Sequence, residues 1–129
     1  MSLFKRNSDV KTVESAASQS PTVEPRHLTG EEFATVISGS EIPVVVDFWA
    51  EWCGPCHAVA PSVAQLATDY DGRALIAKLN ADEYPDILQN FGIMGIPTLI
   101  YFKGGREVDR QVGMTNYSTL KSKLERQLA

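Results

Sequence analysis

Apolar and polar positions fall into two alternating rhythms along the chain. Val44-Val45-Val46-Asp47-Phe48-Trp49-Ala50 is apolar on both faces, the pattern of a central buried strand. From about Cys56 the rhythm changes. Val59, Val63, Leu66 and Tyr70 recur at helical spacing, which predicts a helix ending at Asp71-Gly72. Pro61 lies inside this pattern and predicts a kink. Arg73 to Asn80 reads as a further strand, with Leu75, Ile76 and Leu79 apolar around Lys78. Pro85 opens a short helix that should bury Ile87, Leu88 and Phe91. Leu99 to Phe102 is a strand preceded by Pro97, a residue tolerated only at a strand's mouth. Gly104-Gly105 gives a two-residue hairpin signal. The returning strand should run from about Glu107 to Val112, with Val108 and Val112 facing inward and Gly113 ending it. A last helix, about Asn116 to Gln127, should bury Tyr117, Leu120, Leu124 and Leu128.

Ahead of these elements, Val23 to Leu28 reads as a short strand, placed at a sheet edge because Pro25 cannot donate to a ladder. Thr29-Gly30-Glu31-Glu32 matches a capping box, with Leu28 and Phe33 at the staple positions. The helix it starts should run to about Ser38 and bury Phe33, Val36 and Ile37. The order is then β-α-β-α-β-α-β-β-α. That order gives an α/β fold: a central mixed sheet of about five strands, flanked by four helices on its two faces.

Residues 1–22 differ in kind. Five serines fall between Ser2 and Ser20, and large apolar residues are few. Such a segment cannot bury enough surface to offset its ordering entropy. A flexible N-terminal extension over 1–22 and one folded domain over 23–129 are expected. Asp9 to Ala17 could form a weak, transient helix within it; docking to a partner through Leu3-Phe4-Lys5-Arg6, or order against the domain, are the alternatives for the extension.

Composition narrows the function classes. The 129 residues carry a formal charge of −4 and no dense basic cluster, which argues against nucleic-acid binding. No apolar run approaches the ~20 residues of a membrane span. The first residues lack the apolar core of a secretory signal. Only two cysteines are present, so this is no disulfide-stapled secreted scaffold. A reducing, cytoplasmic setting fits best.

Those two cysteines, Cys53 and Cys56, stand in Trp52-Cys53-Gly54-Pro55-Cys56 at the predicted strand-to-helix junction. A helix start presents unpaired N–H groups and the positive end of the macrodipole. Both favour a thiolate over a thiol. Pro55 suits the first helical turn, and Gly54 leaves Cys53 sterically open. A lowered thiol pKa, access and a second thiol within reach are the requirements of disulfide exchange. Half of a zinc site, or an inert pair, would share this spacing. A structural zinc site needs four ligands, and only His27 and His57 could add to the cysteines. The redox-active dithiol is the favoured reading, with no metal. Asp47 is a carboxylate in a buried run, which is costly unless paired or protonated. The nearby cysteines offer it a purpose; a structural, hydrogen-bonded carboxylate is the alternative.

Taken together these stretches resemble the thioredoxin family, over roughly Val23 to Ala129. Asp47 to Cys56 resembles its active-site segment, Gly95-Ile96-Pro97-Thr98 its second signature, and Phe102-Lys103-Gly104-Gly105 its hairpin. The resemblance implies Cys53 as nucleophile, more exposed than Cys56, and Cys56 as the resolving thiol. It implies Asp47 as a buried proton acceptor of raised pKa, tuned by Lys78. It makes Pro97 cis, so that Ile96 faces Cys53 and can pair with an extended substrate segment. Trp52, Gly54, Pro55 and Gly113 would complete the substrate-binding surface. Plain packing is the alternative for Trp49, Trp52, Gly95 and Gly113, and a solvated strand lysine for Lys78. His57 departs from the family, which usually has a basic residue such as lysine there. A histidine ordinarily titrates near 6.5, so it adds less positive charge at neutral pH.

What the resemblance implies is a protein-disulfide reductase with no bound cofactor. Its reducing equivalents would come from NADPH through thioredoxin reductase, and its substrates would be proteins with disulfides. A monomer is expected. A dedicated oxidase, an isomerase or a pathway-specific reductase would share the chemistry but not the partner. A docking module with incidental redox chemistry is a third possibility, which the intact dithiol disfavours.

Overall fold

The computed structural model describes residues 21–129. The expected extension over 1–22 lies outside these residues except for its last two. The order of elements is that read from the pattern: β1 Arg26–His27, α1 Gly30–Gly39, β2 Val44–Trp49, α2 Gly54–Asp69, β3 Leu75–Asn80, α3 Pro85–Asn90, β4 Thr98–Lys103, β5 Arg106–Val112 and α4 Tyr117–Leu128.

The strands form one sheet in the order β1-β3-β2-β4-β5. β1, β3 and β2 run parallel, while β4 and β5 are antiparallel additions. Period-2 alternation splits the side chains between two cores. Val45, Ile76, Leu99 and Tyr101 face α2 and α4. Val44, Val46, Phe48, Ile100 and Phe102 face α1 and α3. The expected α/β architecture, five strands and four helices, is thus the observed one.

Local chemistry explains the boundaries. The Thr29 side chain accepts from the Glu32 N–H at 3.1 Å, and Glu32 accepts from the Thr29 N–H at 2.9 Å, closing the capping box at the start of α1. Gly104 and Gly105 both take positive φ, as a two-residue hairpin with matching twist requires.

The structure corrects the pattern in three places. The first strand is two residues long rather than six. Pro25 removes one donor, and Val23 instead exchanges hydrogen bonds with the Thr68 hydroxyl on α2. Val108 and Val112 do not face inward; they are 41% and 59% exposed. β5 is an edge strand, and a bulge leaves Val108 as the extra residue between Glu107 and Asp109. In α3, Ile87 and Leu88 are only half-buried, as is Phe91 just after it, because six residues cover little of the sheet.

Sheet register decides where loops meet. β4 runs antiparallel to β2 with Phe48 opposite Thr98, so the turn after β2 lies beside the loop before β4. Val112 also faces Thr98, which brings Gly113 to the same edge. Trp49 pairs with Asn80, adding the loop after β3.

Candidate active site

At that junction Cys53 is the N-cap of α2, Gly54 and Pro55 start its first turn, and Cys56 follows inside it. The two cysteines form a disulfide with a Cα–Cα distance of 5.3 Å. Cys53 Sγ accepts from the Cys56 N–H at 3.1 Å. A capping sulfur is held in this way by a backbone donor at the positive end of a helix. The same donor stabilises the thiolate once the bond is reduced.

Access differs from expectation. Cys53 is 3% exposed and Cys56 2%, so in the oxidised form the pair is almost equally covered. Ala50 forms one buried cluster with the two cysteines, and Trp49 and Ile96 pack against it. The residues flanking the cysteines in the chain are open. Trp52 is 70% exposed, and Gly54 and Pro55 lie at the surface.

The Ile96-Pro97 bond is cis. The Ile96 carbonyl oxygen lies 3.8 Å from Cys53 Sγ. Gly113, at φ +84°, donates its N–H to the Pro97 carbonyl at 2.8 Å. Cys53, Ile96, Pro97 and Gly113 therefore come together from three separate loops. A groove of about 310 Å³ adjoins them, lined by Trp52, Asp82, Leu88, Ile93, Met94 and Ile96 among others.

Asp47 is fully buried on the sheet face that α2 covers. Neither carboxylate oxygen has a hydrogen-bonding partner among the described residues. Desolvation pushes its pKa up to about 7, against the opposing pull of the Lys78 ammonium. Lys78 lies opposite Asp47 in the β2–β3 register, and its Nζ sits 4.6 Å from the centre of the Trp49 ring. Asp47, Lys78 and Trp49 share one sheet face by parity. A carboxylate whose pKa burial raises in this way is a candidate functional group.

His57 follows Cys56 and turns back toward the loop. Its Nε2 lies 2.8 Å from the Glu51 carbonyl, which only accepts, so this nitrogen carries the proton. Its ring meets Trp49 edge-on at 6.2 Å.

The sequence did not point to Asp82. Both its carboxylate oxygens accept from Trp52 Nε1, at 3.1 and 3.0 Å, which orients the exposed indole over the groove. The signal was faint: Asn80-Ala81-Asp82 closes an Asx turn, in which Asn80 Oδ1 accepts from the Asp82 N–H. Met94, 97% exposed on the groove's rim, was likewise not singled out. Among the described residues, no group of three or more His, Cys, Asp or Glu side chains is placed to hold a metal ion. No helix there is long and apolar enough to cross a membrane.

A Cys-Gly-Pro-Cys disulfide capping a helix, beside a cis-proline loop, defines a thiol–disulfide oxidoreductase. Comparison with known proteins agrees. The family model described as Thioredoxin matches residues 24–126. The chain is 46% identical over 101 residues to Thioredoxin 1 of Nostoc sp., covering 78% of this chain and 94% of that protein. It is 49% identical over 96 residues to a thioredoxin of Synechocystis sp., covering 74% of this chain and 90% of that one. A mutant thioredoxin from Halobacterium salinarum superposes with a TM-score of 0.75 at 34% identity, covering 82% of this chain and 92% of that chain. The chain belongs to the thioredoxin family, and it is a protein-disulfide oxidoreductase that works through its Cys53–Cys56 disulfide.

Proposed function

We propose that Cys53 is the nucleophile and Cys56 the resolving thiol of a general protein-disulfide reductase. The reduced Cys53 thiolate attacks one sulfur of a substrate disulfide. A mixed disulfide forms, and the substrate's other sulfur leaves as a thiolate that takes up a proton. The Cys56 thiolate then attacks Cys53 Sγ, closing the Cys53–Cys56 bond and releasing the second substrate thiol. Two electrons pass from the dithiol to the substrate. The observation that carries this reading is the N-cap position of Cys53, with the Cys56 N–H on its sulfur.

Asp47 takes the proton of Cys56 through intervening water, and its raised pKa suits that exchange near neutral pH. Lys78 keeps part of the Asp47 population ionised. Trp52, Gly54, Pro55, Ile96, Pro97 and Gly113 bind the substrate. The Ile96 carbonyl and the neighbouring groove accept an extended segment as an added strand. Thioredoxin reductase, with NADPH, restores the dithiol, and the protein acts as a cytoplasmic monomer on oxidised protein substrates. The domain over 23–129 carries the exchange, with the segment over 1–22 as an N-terminal extension to it.

Insulin-disulfide reduction driven by NADPH and thioredoxin reductase tests this. The unmodified protein should be active and Cys53→Ser inactive, while Cys56→Ser should accumulate a mixed disulfide. No activity in the unmodified protein, or full activity in Cys53→Ser, overturns the assignment.

A further inference from the structure

We infer that Arg110 is a positioning residue that anchors one wall of the substrate groove, the lip after α3, to β5. It stands on β5, outside the dithiol site, and its guanidinium bonds through Nε and Nη2. Nε donates to Glu107 Oε2 at 2.6 Å, and Nη2 donates to Glu107 Oε1 at 2.8 Å. Nη2 also donates to the Phe91 carbonyl at 2.9 Å. The paired bonds to Glu107 fix the plane of the fork, which only arginine can offer. Once fixed, the fork presents its remaining donor capacity to Phe91.

What lies beyond each end of this bridge gives it meaning. Phe91 is the C-cap of α3, and its carbonyl sits at the negative end of that helix, where a cation is favoured. Shortly after it, Ile93 to Ile96 form the groove's lip. That lip and Gly92 before it have few anchors of their own: the Gly92 N–H donates to Gln89 at 3.0 Å and the Ile93 N–H to Leu88 at 2.9 Å. At the other end, β5 runs from Arg110 through Val112 to Gly113, whose N–H meets the Pro97 carbonyl. Arg110 therefore ties the residue ahead of the lip to the strand that ends at Gly113. A six-residue helix cannot fix a lip by packing alone. The bridge holds the lip in place for an incoming extended segment. This inference rests on the groove being the substrate surface.

Two measurements on Arg110→Met, which keeps the side-chain length, separate the parts of this proposal. Amide hydrogen exchange reads the bridge directly. The Gly92 and Ile93 amides should exchange about ten-fold faster, while those of Tyr101 and Leu124 in the core should not change. Unchanged exchange at the lip overturns the proposal whatever the activity. Steady-state reduction of insulin reads the consequence. KM for insulin should rise about five-fold with kcat retained, and Arg110→Lys, which keeps the charge but not the fork, should recover only part of it. Looser exchange with an unchanged KM also overturns it, because the lip would then not matter to substrate. If Arg110→Met does not fold, Glu107→Gln, which loosens the fork but leaves the contact with Phe91, carries both measurements. Inactivity of the unmodified protein would count against the disulfide-reductase reading, while the exchange data still decide the bridge.

Discussion

The two faces of the sheet are built to different rules. The face toward α1 and α3 is largely apolar and rich in aromatic rings. Phe33 meets Phe48, Phe91 and Phe102 edge-on at centroid distances of 6.1, 5.6 and 5.8 Å, and Phe91 meets Phe102 at 5.6 Å. The face toward α2 and α4 has a similar aliphatic floor but carries Asp47, unpartnered and fully buried, with Lys78 and Trp49 beside it. A stable core asks for the first arrangement. The second is costly, since a buried carboxylate without partners costs several kcal/mol when ionised. One face therefore supplies stability that the other gives up for chemistry.

The largest expected effect is on the apolar face. Phe102→Ala removes a ring that is 1% exposed and contacts two others, and should destabilise the fold by about 3–5 kcal/mol. The reduction potential of Cys53–Cys56 should be unchanged, because no part of that ring reaches the dithiol. Urea unfolding and equilibration with glutathione measure the two. A shifted potential at normal stability would break the division of labour.

Asp47→Asn should act in the opposite sense. The gap between the ordinary value of 3.8 and about 7 corresponds to about 4 kcal/mol. Its sign follows from proton binding. Between those two values the folded chain keeps a proton that the unfolded chain has lost, so stability falls as pH rises through that window. Above it both forms are ionised and the loss is complete. An amide cannot ionise. Asp47→Asn should therefore flatten this dependence and leave the protein more stable at pH 8, by up to that amount, while slowing release of the mixed disulfide. Unfolding at pH 5 and pH 8 checks it; equal slopes in the two proteins would mean that Asp47 is ionised throughout.

Much of this contrast was legible in the sequence. Asp47 stood out because a single charge interrupted a run apolar on both faces, and Thr29–Glu32 announced a helix start that the capping box then supplied. Elements with local signals, the hairpin glycines and the Cys53 helix junction, were placed to within a few residues. What was missed depends on contacts between distant segments. β1 shrank because Val23 found a partner on α2, and Val108 turned outward because a bulge shifted the register of β5. Asp82 was not found because its role exists only once the β3 loop is brought to Trp52. The near-equal burial of Cys53 and Cys56 has the same origin, since Ile96, some forty residues away, packs against the cluster they form.

The smallest expected effect tests whether the polar residues of the α2 face act as one unit. Lys78 lowers the pKa of Asp47 through its charge alone; the ammonium is held over the Trp49 ring rather than in an ion pair with the carboxylate. Lys78→Met keeps a flexible side chain on that ring and removes the charge. The pKa of Asp47 should then rise above about 7, and the pH window of its stability loss should move up with it. At pH 7 a smaller share of Asp47 is ionised, so resolution of the mixed disulfide should slow less than in Asp47→Asn. Raising the pH should restore the rate in Lys78→Met but not in Asp47→Asn. If the Asp47 titration followed by NMR is the same with and without Lys78, the carboxylate is tuned by burial alone, and the lysine belongs with the packing of Trp49.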